Sequence, residues 1–330
     1  MYRKKVSMND IAKKLGISVV SVSKAVNSQS GIGDDLRRRV LDMALEMGYI
    51  LPKRKFGGSM LKFAYFMPQR YNFESELFYT QLFYYLNETC AQNNIVLSLF
   101  VIAAEDERRL TLPALINTIR FDGIFIGGEI TAEYINVLRQ IGIPVVCVDF
   151  YKSGVDIDCV VVDNYYASFR ATDYLIQNGH GRIGFLSHPY RTSSVTDRFF
   201  GFQRALCEHD LPYNGEWFLT ISENPPLPAD MPTAFVCHND VSALLFARIL
   251  KKSGLSIPDD VSVVSFDNLE MGVSGEPSLT TVNVDRKVFA EKAFELMMER
   301  LRNQIMPVQR VYVDTSLVVR NSVKNLNTKF

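Results

Sequence analysis

The 330-residue chain has little that would tie it to a secreted or membrane setting. Its five cysteines, Cys90, Cys147, Cys159, Cys207 and Cys237, are odd in number and form no C-x-x-C pair. That argues against a disulfide framework or zinc ribbon and for free thiols in a reducing cytosol. The four histidines, His180, His188, His209 and His238, lack metal-ligand spacing, so no metal site is expected and core or surface roles are. No run of about 18 apolar residues is present to span a bilayer, and residues 1–16 contain no apolar stretch followed by a small-residue cleavage site. There is no G-x-S-x-G elbow, phosphate loop or nucleophile–base pairing, so neither an enzyme nor a cofactor is expected. Asp156-Ile157-Asp158 reads as a solvated turn rather than a cation loop.

Net charge is absent too, but its distribution is uneven. Residues 1–60 carry 12 basic against 5 acidic side chains, whereas the remainder carries 24 against 31. A basic module that meets a polyanion, joined to an acidic body that does not, fits this segregation. With 47% hydrophobic residues, a chain of this length builds two or three globular domains.

Three short helices are expected in the first fifty residues. Ser7 can cap the first, Asp10 suits its positive end, and Ile11, Ala12 and Leu15 form its apolar stripe before Gly16. Ser18 opens the second, with Val22, Ala25 and Val26 inward. The third runs over 34–47, with Leu36, Val40, Ala44 and Met47 at helical spacing. This is a helix-turn-helix whose second helix would enter the major groove. On its outer face Ser18, Ser21, Ser23 and Asn27 offer hydrogen bonds, Lys24 a charge, and Val19 and Val20 apolar contact such as a thymine methyl accepts.

The segments 6–12 (Val6-Ser7-Met8-Asn9-Asp10-Ile11-Ala12), 16–27 and 39–49 resemble the headpiece of the LacI/GalR family of transcriptional regulators. There are departures. Gly33 and Leu36 replace the usual cap and Thr of the third helix, and the Tyr-x-Pro-Asn of the family becomes Tyr49-Ile50-Leu51-Pro52-Lys53. Where the family has a hinge helix, this chain has Lys53-Arg54-Lys55-Phe56-Gly57-Gly58-Ser59-Met60, a poor helix and a good flexible linker. Tyr49, Lys53, Arg54 and Lys55 are expected at the DNA backbone, with weak dependence on deformation of the central base pairs.

Beyond residue 61, strand-like runs at 62–67, 95–102, 123–127, 144–150, 160–163, 183–187, 217–221, 233–237, 261–266 and 280–284 alternate with helical stretches. About five strands per set predicts two Rossmann-like lobes with a ligand cleft at their carboxyl ends. Residues 121–126, 142–146, 161–164, 174–183, 197–202, 238–240, 258–268 and 277–282 resemble the family's body, and 318–322 its closing strand. The resemblance implies a periplasmic-binding-protein-like α/β body behind the all-α headpiece. The expected divisions are 1–52 headpiece, 53–61 linker and 62–330 effector-binding and dimerisation domain. Lobe 1 is expected over about 62–160 and 286–318, lobe 2 over about 161–285 and 319–330.

It implies, further, a cytoplasmic homodimeric repressor of a metabolic operon, on palindromic double-stranded operator DNA and controlled by a small effector, a carbohydrate by preference. Asp149, Arg198, Asn239 and Asp267 match the family's ligand-binding positions, and Phe78 and Tyr79 its aromatic pocket positions. Each also has a plainer reading: Asp267 and Asn239 as helix caps, and Phe78, Phe199 and Phe200 as core. Asp240 is expected to cap and Trp217 to pack a strand. Reversing the charge at Arg198 is expected to abolish ligand-induced stabilisation with the fold intact.

Overall fold

The computed structural model describes residues 6–26, 31–47, 49, 60–71, 77–188, 192–222 and 226–327. Its first element, α1 (Met8–Leu15), starts where the Ser7 side chain accepts the Asp10 backbone N–H and the Asp10 carboxylate accepts the Ser7 N–H at 2.8 Å. This reciprocal cap satisfies two donors that a helix start leaves open. Helices α2 (Val19–Val26) and α3 (Asp34–Glu46) follow. Ile11, Ala12, Val22, Ala25, Val40 and Ala44 form their shared core, with Leu15, Val26, Leu36 and Met47 packed around it. Small residues at the crossings let three short helices close on one another, as their spacing implies.

The first lobe is built from β1 (Lys62–Pro68), α4 (Leu77–Gln92), β2 (Val96–Ile102), α5 (Ala104–Arg109), α6 (Leu115–Thr118), β3 (Gly123–Gly127), α7 (Ala132–Arg139), β4 (Val145–Val148) and β5 (Asp158–Val162). The chain then enters the second lobe through α8 (Asn164–Gln177), β6 (Ile183–Ser187), α9 (Ser193–Glu208), β7 (Phe218–Thr220), β8 (Ala234–Cys237), α10 (Asp240–Lys252), β9 (Ser262–Asp267), α11 (Glu270–Val273) and β10 (Thr280–Val284). It returns to lobe 1 for α12 (Arg286–Arg302) and β11 (Arg310–Val313), and ends in lobe 2 with β12 (Thr315–Val318). The strand orders are β11-β5-β4-β3-β1-β2 and β12-β10-β9-β8-β6-β7. Every pairing is parallel except β10 with β12. Buried on both faces, the central strands read as continuous apolar runs, which is why they were visible in the sequence.

Three expectations need correction. Each sheet has six strands, because β11 was missed and β12 lies earlier than the closing strand that was expected. They are edge strands, with Tyr312 half in solvent, separated by one residue although they belong to different sheets. The closing strand is therefore Thr315–Val318 rather than 318–322, and the last crossing lies at Asp314, four residues earlier than expected. The first lies at Asp163, not 160, since β5 runs to Val162 in the first sheet. Nor is Asp158 part of a solvated turn. It is buried on β5, where Arg300 of α12 binds both its oxygens at 2.6 Å and the Gln309 N–H adds a third bond.

Trp217 is buried as expected, but in a 3-10 turn before β7, its indole N–H donating to the Asp230 carbonyl at 2.9 Å. Lobe 2 also depends on a close helix crossing. A Cβ on Gly201 of α9 would sit 2.0 Å from the Tyr165 carbonyl oxygen of α8, with backbone on both sides. Gly201→Ala is expected to force these helices apart and destabilise by about 3 kcal/mol, read as a lower urea midpoint.

Candidate functional site

Two sets of residues were singled out, and the fold treats them differently. On the headpiece, Ser18 accepts the Ser21 N–H at 3.0 Å and so starts α2. Its outward face presents Val19, 43% exposed, and Val20, 64% exposed, flanked by Ser18, Ser21, Ser23 and Lys24. Exposed valines at the start of a short helix gain nothing for folding, whereas a thymine methyl in a major groove would cover them. Tyr49 lies against the headpiece core, its N–H on the Ala44 carbonyl and its phenol desolvated. Asn27, Lys53, Arg54 and Lys55 lie outside the described residues.

Between the lobes, Phe78, Tyr79, Asp149, Arg198, Asn239 and Asp267 line one cleft of about 70 Å³, as their scattered positions required. All but Arg198, which lies within α9, are delivered by an element end. Asp149 ends the strand β4 segment at φ 69°, and Asp267 ends β9 at φ 99°; such left-handed backbone is uncommon for non-glycine residues and clusters at binding sites. Arg198 comes from α9, Asn239 from the start of α10, and Phe78 and Tyr79 from the start of α4.

Arg198 is the centre of this cleft. Its Nε donates to Asn164 Oδ1 at 2.7 Å, its Nη1 to the His238 carbonyl, and its Nη2 lies 3.7 Å from Asp267 Oδ1. The guanidinium also stacks 4.4 Å above the Phe266 ring. Tyr79 donates to Asp149 Oδ2 at 2.8 Å, while Asp149 Oδ1 is buried without a hydrogen-bond partner among the described residues. An acceptor left open in a buried site is unfavourable unless a ligand or water completes it. Asn239 Oδ1 accepts the Ser242 N–H, so it caps α10 while also lining the cleft. Asp240 does not cap. It is fully buried and accepts from Ser265, Thr281 and the Leu269 N–H, joining β9 to β10.

Sequence reasoning missed Tyr71, His188, Thr192, Ser194, Val195 and His238, which also line the cleft. Ser194 and Val195 were within reach of it, since they precede Arg198 by four and three residues on one helix face. His238 is buried and held neutral by desolvation, its Nε2 paired with the Ser242 hydroxyl. Among the described residues no cluster of three or more His, Cys, Asp or Glu could hold a metal, and no helix is long and apolar enough to cross a membrane.

Burial shifts the titration of the two cleft carboxylates, Asp149 and Asp267, and of the neighbouring Asp240. Burial pushes Asp149 up to about 7 against the opposing pull of Arg198, and raises Asp240 to about 6 and Asp267 as well. Since the folded state holds these protons more tightly than the unfolded chain, their stabilisation is complete below about pH 4 and is lost as pH rises to 7. Unfolding midpoints are expected to fall between pH 5 and pH 8, with Asp149→Asn flattening the slope. Lifting one carboxyl from about 3.9 to about 7 corresponds to at most about 4 kcal/mol. The same buried cluster overturns the expectation for Arg198. A carboxylate there would face Asp149 and Asp267 with only Arg286, beside Asp267, to offset three acidic groups, so charge reversal is expected to destabilise the fold itself.

Comparison with known proteins places this arrangement. The profile of the periplasmic binding protein-like domain matches residues 172–323. The HTH-type transcriptional repressor PurR of Vibrio parahaemolyticus is 27% identical over 336 residues, which cover 97% of this chain and 99% of that one. The structure of a transcriptional regulator CelR–cellobiose complex superposes with a TM-score of 0.69 at 21% identity, covering 96% of this chain and 100% of the other. The lac repressor dimer bound to operator and the anti-inducer ONPF does so with a TM-score of 0.69 at 20% identity, covering 97% and 100%. The two structural likenesses establish the fold, and the curated relative is a regulator rather than an enzyme.

Proposed function

We propose, on the premise that this chain belongs to the LacI/GalR family of transcriptional regulators, that it is a cytoplasmic homodimeric repressor controlled by a small carbohydrate. One observation carries the reading. A single chain joins a headpiece with an exposed, apolar-tipped recognition helix to a two-lobed body whose cleft holds a buried open acceptor. One headpiece reads one half-site, so two-fold symmetric DNA calls for a dimer. In the cleft, Asp149 and Asp267 would accept from ligand hydroxyls, Arg198 and Asn239 would donate, and Phe78 and Tyr79 would cover an apolar ring face. Closure on the ligand would alter how the lobes meet and so the spacing of paired headpieces, which is linkage between two sites.

Selection from random duplexes tests this. Enrichment of a two-fold symmetric site is the expected result; no enrichment, with or without carbohydrates, would sink it. Exchanging the central base pairs of that site is expected to weaken binding little, given the Gly57-Gly58-Ser59 sequence of the expected linker at 53–61; a loss of several kcal/mol per step would contradict that.

A further inference from the structure

The cleft does not end at Asp149 and Arg198. Its inner part, about 70 Å³, is roughly half the ~150 Å³ of an apolar cavity that takes up benzene. A pyranose with its hydroxyls is larger than benzene, so the inner part as closed here takes one end of a ligand and not a whole ring. It opens, past Tyr71 and Thr192, on to an annex of about 500 Å³ between residues 69–71 and the start of α7. Tyr71 and Thr192 line both spaces.

The junction is built. The Tyr71 ring packs 4.7 Å from that of Tyr79 and lies 5.1 Å beneath the Arg70 guanidinium. Gly128, at φ +86°, backs it so closely that a Cβ there would come within 2.5 Å of a ring carbon. The charges of the annex are paired among themselves: Arg70 with Glu107 at 2.6 Å, Lys152 with Glu129 at 2.7 Å, and Arg108 with Glu105. Glu129 also accepts the Ser193 N–H at 2.7 Å, which ties the annex wall to lobe 2. An anionic or cationic extension would meet charges that are already neutralised by a partner and so would gain little from its own charge. A neutral polyol loses nothing by this, since carboxylates and ammonium or guanidinium groups keep spare acceptors and donors for hydroxyls.

We propose that the effector is elongated and uncharged, a disaccharide-sized carbohydrate whose end group meets Asp149 and Arg198 while a second ring lies in the annex beside Tyr71. The proposal rests on the carbohydrate reading of the cleft given above. Calorimetric titration of the full chain with glucose, galactose and ribose, with neutral disaccharides containing them, and with a uronic-acid disaccharide tests it. Gln69→Trp, an exposed position on the annex rim, supplies the control. At least one neutral disaccharide is expected to bind at least tenfold more tightly than either constituent monosaccharide and than its acidic counterpart. Gln69→Trp is expected to remove that advantage while monosaccharide binding stays unchanged. A monosaccharide that binds as tightly as its disaccharides, or a disaccharide advantage that survives Gln69→Trp, would overturn the elongated ligand and leave the repressor reading standing. Binding by none of these sugars would overturn it too, while operator selection would still decide the repressor reading by itself.

Discussion

Replacing Arg198 by methionine is expected to abolish ligand-induced stabilisation and to destabilise the ligand-free fold by about 3–5 kcal/mol. The side chain is almost wholly buried, and its three polar contacts lead to Asn164, the His238 carbonyl and Asp267. Methionine keeps much of the volume over Phe266 but removes the cation that acts on both Asp149 and Asp267, leaving only Arg286 beside Asp267. The deficit is electrostatic, so it should shrink as these carboxyls protonate. Urea unfolding at pH 5 is expected to show a smaller difference between the two proteins than at pH 8. An equal loss at both pH values would mean that packing rather than charge dominates, and an unaltered ligand response would remove Arg198 from the binding site.

The second large effect is expected at the other end of the chain. Val20→Glu puts a carboxylate at the more exposed of the two valines of the recognition face, where the proposed partner carries a dense row of phosphates. Like-charge juxtaposition across an interface amounts to several kcal/mol, and it occurs twice on a two-fold site. Operator affinity is expected to fall at least about 100-fold, equivalent to about 2.7 kcal/mol. Glutamate is a better helix former than valine, so the headpiece should fold as before. Anisotropy titration of a selected operator, alongside an unchanged thermal response to ligand, checks both halves; unimpaired DNA binding would mean α2 is not the reading helix.

How much of this was legible in the sequence depended on what each residue answers to. The headpiece helices were readable because Ser7, Asp10 and the 3–4 spacing within each apolar stripe (Ile11, Ala12 and Leu15; Val22, Ala25 and Val26; Leu36, Val40, Ala44 and Met47) act locally. The central strands were readable because burial on both faces makes them continuously apolar. Strands β11 and β12 answer instead to two different sheets across one residue, and nothing in 310–318 announces that division. The cleft shows the same contrast. Asp149, Arg198, Asn239 and Asp267 were reached through resemblance, and their convergence needed three dimensions. Tyr71, Thr192 and His238 escaped because no local pattern marks a residue that becomes a wall only when two lobes meet. The second set of bonds that Asp240 makes was hidden for the same reason, since its partners lie 25 to 41 residues away.

The central claim is that the cleft and the recognition helix are coupled. Operator affinity should therefore be measured with and without a saturating carbohydrate identified by titration, and carbohydrate affinity with and without operator. A coupled regulator predicts that each ligand changes the affinity of the other by one common factor, typically about 5- to 150-fold. An operator affinity that stays the same at saturating carbohydrate would contradict the account, whatever the separate strengths of the two interactions.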